Sequence, residues 1–161
     1  MPRDMQRRSK LKILIVEDDE NKRSQIYDFV NSIHSSYIIK TARSLQSGLR
    51  AIIEGEINLI ILDMTLPTFD INVNEHGGRP QAYAGREILR QMDRRNIHTP
   101  VIVVTQFDRF GEGNDVLTLT ELDAQLKTAH STNYKGSVYY NVTLEGWKEE
   151  LRKLMHEQTN K

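Results

Sequence analysis

Short apolar, β-branched runs alternate along this chain with segments whose apolar residues recur every three or four positions. "KILIVE" (12–17) has the make-up of a buried strand, and "DDENKRSQIYDFVNSI" after it sets Ile26, Phe29, Val30 and Ile33 on one helical face. "YIIKTA" (37–42) reads as a second strand. "SLQSGLRAIIEG" then gives a helix with Ser44 as its N-cap and Gly55 as its stop. "NLIILDM" is a third strand, "GREILRQMDRRN" a helix carrying Ile88, Leu89 and Met92, and "TPVIVVT" a fourth strand. "LTELDAQLKTAH" is helical, "SVYYNV" (137–142) is a short fifth strand, and "LEGWKEELRKLM" closes the pattern with Leu144, Trp147, Leu151 and Leu154 directed inward.

Five strand–helix alternations predict an α/β fold, a parallel sheet with helices on both faces, because right-handed crossovers allow little else. Ligand sites in such sheets lie beyond the carboxyl ends of the strands. The polar residues at those ends are Glu17, Asp18 and Asp19 after the first strand, Asp63 after the third, Thr105 after the fourth and Asn141 after the fifth. Two segments exceed the minimal pattern, 68–84 and 106–117, and both leave from strand carboxyl ends. Structureless loops beyond about 12 residues are uncommon and often functional. Within the first, Gly77–Gly78 marks a turn beside Arg79, which fits either an anion contact or an ordinary surface loop.

Composition narrows the partners. The 161 residues suit one domain, expected over 11–158, behind a basic, flexible tail over 1–10. Lysine plus arginine (22) balance aspartate plus glutamate (22), so no overall field points to nucleic acid or a membrane surface. No stretch approaches the ~20 apolar residues of a membrane span, and no export signal is visible, so a cytoplasmic location is expected. The chain has no cysteine, which excludes disulfides, thiolate metal sites and thiol catalysis. The histidines (34, 76, 98, 130 and 156) lack metal-ligand spacing. Trp147 and the tyrosines read as core or groove residues.

A lone carboxylate such as Asp63, two residues before Thr65 and four before Pro67, can be a turn former, a helix cap, a metal ligand or a nucleophile. Acids gathered at one strand-end face repel one another unless a cation holds them, and hard oxygen ligands suit magnesium. A divalent ion there would also stabilise a phosphoryl group arriving at a carboxylate, which makes Asp63 a candidate aspartyl-phosphate acceptor. Glu17 and Asp18 also read as the acidic first turn of a helix, favoured by its dipole, and both readings can hold together.

"ILIVEDD", "LIILDMTLP" and "VIVVT", in this order, resemble a response-regulator receiver domain of two-component signalling, the CheY-like family, from about Lys12 to Met155. The resemblance implies a flavodoxin-like, doubly wound five-stranded parallel sheet of order 2-1-3-4-5. It implies Asp63 as phosphoacceptor, Asp18 as a direct Mg2+ ligand, Glu17 acting mainly through a bound water, and the backbone carbonyl of Thr65 completing the metal set. Thr105 becomes the switch hydroxyl, and Asp19, past the acidic pair, starts the helix. Family members carry a lysine at the end of the fifth strand, where alignment puts Asn141 here. Lys135 sits before the strand, roughly 20 Å away at ~3.3 Å per residue. At the aromatic switch position Val138 aligns most directly, with Tyr139 and Tyr140 adjacent. Gln106 replaces the usual small residue after the threonine, and Phe107 beyond it is placed to cover a phosphoryl group.

The expected function is a single-domain receiver. It accepts a phosphoryl group from a histidine kinase or phosphotransfer protein and signals to an unknown downstream protein, possible oligomers included, with no nucleic acid or membrane partner. It is not an enzyme in the usual sense. The alternative is a pseudo-receiver, a phosphorylation-independent interaction module, favoured by Asn141 and the inserted loops. A Mg2+-dependent phosphohydrolase is disfavoured, because Thr65 stands where such enzymes want a second acid.

Overall fold

The computed structural model describes residues 10–70 and 81–159. Its elements, in chain order, are β1 (Lys12–Val16), α1 (Glu20–Ile33), β2 (Ile38–Ala42), α2 (Leu45–Glu54), β3 (Leu59–Leu62), α3 (Ala84–Arg94) and β4 (Val101–Thr105). A two-residue ribbon follows, β5 (Arg109–Phe110) and β6 (Leu117–Thr118), and then α4 (Leu119–Ala129), β7 (Tyr134–Tyr139) and α5 (Gly146–Thr159). The main sheet has five strands in the order β2-β1-β3-β4-β7, every neighbour parallel. With β7 as the fifth sheet strand, this is the expected 2-1-3-4-5 order. The tail over 1–9 and the Gly77–Gly78–Arg79 turn lie outside the described residues.

Burial on both sheet faces explains why the strand runs are apolar throughout instead of alternating. On one face Leu14, Val16, Ile60, Leu62 and Val103 pack against α2, α3 and α4 through Ile52, Ile88, Leu89, Met92, Leu122 and Leu126. On the other, Ile13, Ile15, Ile61, Ile102, Val104 and Val138 meet Ile26, Phe29 and Val30 of α1 and Trp147, Leu151 and Met155 of α5. Helix starts follow local chemistry. The Asp19 side chain accepts from Lys22 N (2.8 Å) at the head of α1. Ser44 with Ser47, and Thr118 with Glu121, form reciprocal capping boxes. Gly55 ends α2 with φ +88, as expected of a stop residue.

Three expectations need correction. The fifth strand covers Tyr134–Tyr139 rather than 137–142, because an irregularity between the Val101 and Ile102 pairings, next to Gly136 at φ +143, breaks the side-chain alternation that sets the register. Asn141 therefore stands past the strand, where its Oδ1 accepts from Thr143 N (2.9 Å) and Thr143 Oγ1 (2.7 Å). Leu144 precedes the last helix and is 65% exposed, so it is not an inward residue. The 106–117 segment is not structureless: β5 and β6 pair antiparallel, with a 3-10 turn at Gly113–Asp115 between them.

That ribbon is fastened to the head of α3. The Tyr83 hydroxyl donates to Phe110 O (3.0 Å) and lies 3.2 Å from Asp115 O, with its ring 6.4 Å from that of Phe110. A Cβ at Gly111, at φ +91, would come within 2.6 Å of Asp115 O and 2.9 Å of the Tyr83 hydroxyl. Tyr83→Phe removes the fastening but keeps the ring. Amide exchange across 109–118 should then accelerate while the sheet amides keep their protection, which hydrogen-exchange mass spectrometry would resolve.

The loop after β3 is equally tight. A Cβ on Gly85 would sit 2.9 Å from Asp63 O and 3.0 Å from Met64 Cα, both backbone atoms with little freedom to yield. Gly85→Ala should cost about 1–3 kcal/mol in urea unfolding; an unchanged midpoint would mean that the loop relaxes freely.

Candidate functional site

The carboxyl ends of β1 and β3 are neighbours, paired Val16 with Leu62, and the pairing continues as Asp63 N donates to Val16 O (2.9 Å). This register sets Glu17 and Asp63 side by side. Carboxylate oxygens of Glu17, Asp18 and Asp63 all lie within 4.8 Å of one another. Glu17 and Asp63 are buried and Asp18 is half-buried. Arg23 holds the acidic turn from behind, its Nη1 donating to Glu17 O (3.0 Å) and Asp18 O (3.3 Å). Thr65 lies two residues beyond Asp63, in a loop anchored by Gly85 N donating to Met64 O (3.0 Å). Thr105 ends β4, fully buried, and its Oγ1 accepts from Phe107 N (3.2 Å).

The residue that sequence reasoning missed is Lys22. Its side chain is almost wholly buried. Nζ pairs closely with Glu17 Oε1, lies 3.4 Å from Asp63 Oδ1 and donates to Val104 O at 2.9 Å. It also stands 5.8 Å from the centre of the Tyr140 ring. The geometry follows from its position in the first turn of α1. Helical side chains lean toward the N-terminus, so Lys22 reaches back over the turn that carries Glu17. A signal existed: Lys22 is four residues before Ile26 and so lies on the apolar stripe of α1 rather than on its solvent face.

Burial sets the electrostatics. Glu17 is pushed up to about 7, first by desolvation and then by the Asp63 charge, against the pull of Lys22. Asp18 rises to about 6 through burial and the neighbouring Glu17 charge. Asp63 is also raised by burial, with Lys22 opposing. When ionised, the three carboxylates outnumber the one ammonium paired with them, an imbalance that a divalent cation would relieve. Glu17 Oε1 and Asp63 Oδ1 are buried without a hydrogen-bond donor in good alignment. An all-oxygen, undersatisfied acidic set of this kind fits magnesium.

Other positions resolve differently. Lys135 donates to Thr132 O (3.2 Å) near the start of β7, at the opposite end of the sheet from the acids. Val138 is fully buried in the core against α1 and α5, while Tyr139, which pairs with Thr105 in register, is 44% exposed. Tyr140 is buried against Trp147, ring centres 5.0 Å apart. Gln106 is exposed, and the half-exposed Phe107 ring leans edge-on to Phe110 at 6.5 Å.

With this arrangement in view, comparison with known proteins is decisive for the family: the model of the response regulator receiver domain matches residues 13–132. The chain belongs to the response-regulator receiver family. It is 34% identical over 144 residues to the uncharacterized protein y4jR of Sinorhizobium fredii, covering 88% of this chain and 95% of that one. It is 29% identical to the Detocs response regulatory protein DtcB of Enterobacter cloacae, over 91% and 99% of the two chains. Among solved structures, the receiver domain from Clostridium thermocellum superposes with TM-score 0.60 at 22% identity, covering 93% and 94% of the two chains. TrrA from Thermotoga maritima, in complex with Mg2+-BeF, gives 0.59 at 19%, covering 89% and 98%. These receivers share the fold. Among the described residues of this receiver, no helix is long and apolar enough to cross a membrane.

A buried ion pair next to a second carboxylate should be strongly coupled. In a double-mutant cycle of Glu17→Gln and Lys22→Met, the interaction energy should reach about 2–3 kcal/mol. The exposed Arg152–Glu149 pair (2.9 Å) should give about 0.5 kcal/mol in the same urea experiments. Equal couplings would mean that water reaches Lys22.

Proposed function

We propose that this receiver accepts a phosphoryl group on Asp63 and passes the signal through protein–protein contact. One observation carries the reading: Glu17, Asp18 and Asp63 converge at the rim of β1 and β3, three carboxylates set against one paired ammonium. Magnesium would be held by Asp18, Asp63 and the Thr65 carbonyl, with Glu17 contributing through water. When bound, it supplies charge neutralisation for a phosphoryl group in transfer. The protein's own part is positional. Asp63 is fixed by the β1–β3 register and the packed loop behind it, so that its carboxylate faces the cation site. Thr105, one strand over, would be the hydroxyl that meets a phosphoryl oxygen. Its bond to Phe107 N ties that hydroxyl to the start of the inserted ribbon, so a move of Thr105 toward the phosphoryl group would release the β4 exit.

The donor is a histidine kinase or phosphotransfer protein, and the recipient of the signal is another protein. A TrrA complex with Mg2+-BeF and a relative named as a response regulatory protein support this assignment. A phosphorylation-independent module was the alternative suggested by Asn141. That argument weakens once Asn141 is occupied in its own turn and an ammonium approaches Asp63 from α1 instead.

With acetyl phosphate and Mg2+, intact-mass spectrometry should detect a phosphoryl adduct on the wild type, none on Asp63→Asn, and none after chelation. A wild type that stays unmodified under both acetyl phosphate and beryllofluoride would favour the interaction module. Separately, Asp18→Ala should weaken Mg2+ binding by about tenfold or more in a titration, whereas an unchanged affinity would remove Asp18 from the metal set.

A further inference from the structure

We propose, resting on the acceptor reading of Asp63, that Lys22 is the cation that contacts the phosphoryl group, delivered from the first turn of α1 in place of a lysine at the end of the fifth sheet strand. The placement carries the proposal. The strand-end position holds Asn141, whose side-chain oxygen is engaged by Thr143. The Lys22 ammonium instead bridges three strand ends, with Glu17 after β1, Asp63 after β3 and Val104 in β4, the residue before Thr105. Among the described residues its ion pairs are with Glu17 and Asp63 and not with Asp18. The ammonium and a cation on Asp18 therefore reach Asp63 through different partners.

An ammonium has three N–H donors. One is given to Val104 O; the ammonium also pairs closely with Glu17 Oε1 and stands 3.4 Å from Asp63 Oδ1, neither oxygen having an aligned hydrogen-bond donor. In transfer from acetyl phosphate, an Asp63 carboxylate oxygen forms a bond to phosphorus. The phosphorus–oxygen bond to the acetyl group breaks, and its electron pair leaves with acetate. The carboxylate charge that Lys22 faced is then spent in the acyl phosphate, while negative charge stands on the phosphoryl oxygens. The ammonium beside Asp63 turns an N–H to one of those oxygens, a contact that strengthens as the transfer proceeds. A merely structural lysine, serving only to neutralise Glu17, would make no such exchange.

The test compares wild type, Asp63→Asn, Lys22→Met and Lys22→Gln, each checked by thermal melting in Mg2+. Adduct formation from acetyl phosphate should slow by about tenfold or more in Lys22→Met, with Mg2+ affinity kept within a few-fold; Lys22→Gln takes its place if the methionine variant melts too low. In wild-type protein with 15N-labelled lysine, the Lys22 ammonium resonance should shift on binding beryllofluoride with Mg2+. Adduct formation at wild-type rate in a folded Lys22 variant would overturn the proposal, as would an ammonium signal unmoved while beryllofluoride is bound. Both results leave the acceptor reading standing. An unmodified wild type would overturn that reading itself, so the two failures are distinguishable.

Discussion

An ammonium buried at the ends of β1, β3 and β4 is tolerable only if carboxylates meet it there, and the rest of the site is arranged around that requirement. Removing a lysine from water costs several kcal/mol, and a cation in the first turn of a helix also opposes the helix dipole. Glu17 and Asp63 supply the compensating charge, and Val104 O supplies a hydrogen bond. The converse holds as well. Two adjacent buried carboxylates would repel each other without Lys22, and burial would drive one of them neutral. Each half of this cluster offsets the cost of burying the other.

Such a cluster needs exact placement, which the backbone provides. The β1–β3 pairing fixes the separation of the two acids. Asp19 caps α1 so that Lys22 starts from a set point, and Arg23, next along, grips the carbonyls of Glu17 and Asp18. The loop that carries Asp63 and Met64 is pressed by α3 so closely that Gly85 has no room for a methyl group. Glu17 accepts from Asp19 N (3.0 Å) on one oxygen and is ion-paired with Lys22 on the other. An acid so committed suits an indirect role at a metal better than direct ligation.

Sequence periodicity and turn chemistry reached most of the architecture because buried parallel strands and capped helices leave strong local marks. The "ILIVEDD" and "LIILDM" runs place the acids at strand ends, and sheet topology alone brings those ends together. What stayed hidden has specific causes. Lys22 was masked by the polar, charged opening of α1, where a lysine looks solvated; only its phase relative to Ile26 betrays it. The irregularity near Gly136 moved the fifth sheet strand, because one unpaired residue defeats any reading by alternation. The β5–β6 ribbon is two residues long on each side, too short to leave a periodic signal. Leu144 was placed inward by helical phase, but the helix begins only at Gly146.

Charge balance bears on the proposed function more directly than the missing strand-end lysine does. A fold kept solely as a docking module gains nothing from three acids set against one ammonium, since swapping buried ionic groups for apolar ones is often neutral or stabilising. Packing three acids around one paired ammonium carries a cost that burial shows in their raised pKa values and that a divalent ion would offset. Lys22 also reaches Val104 O, next to Thr105, whose hydroxyl accepts from Phe107 N at the lead-in to a ribbon fastened by Tyr83 to the head of α3. Charge entering at Asp63 would thus meet a chain of short contacts leading to the two segments that leave the strand ends.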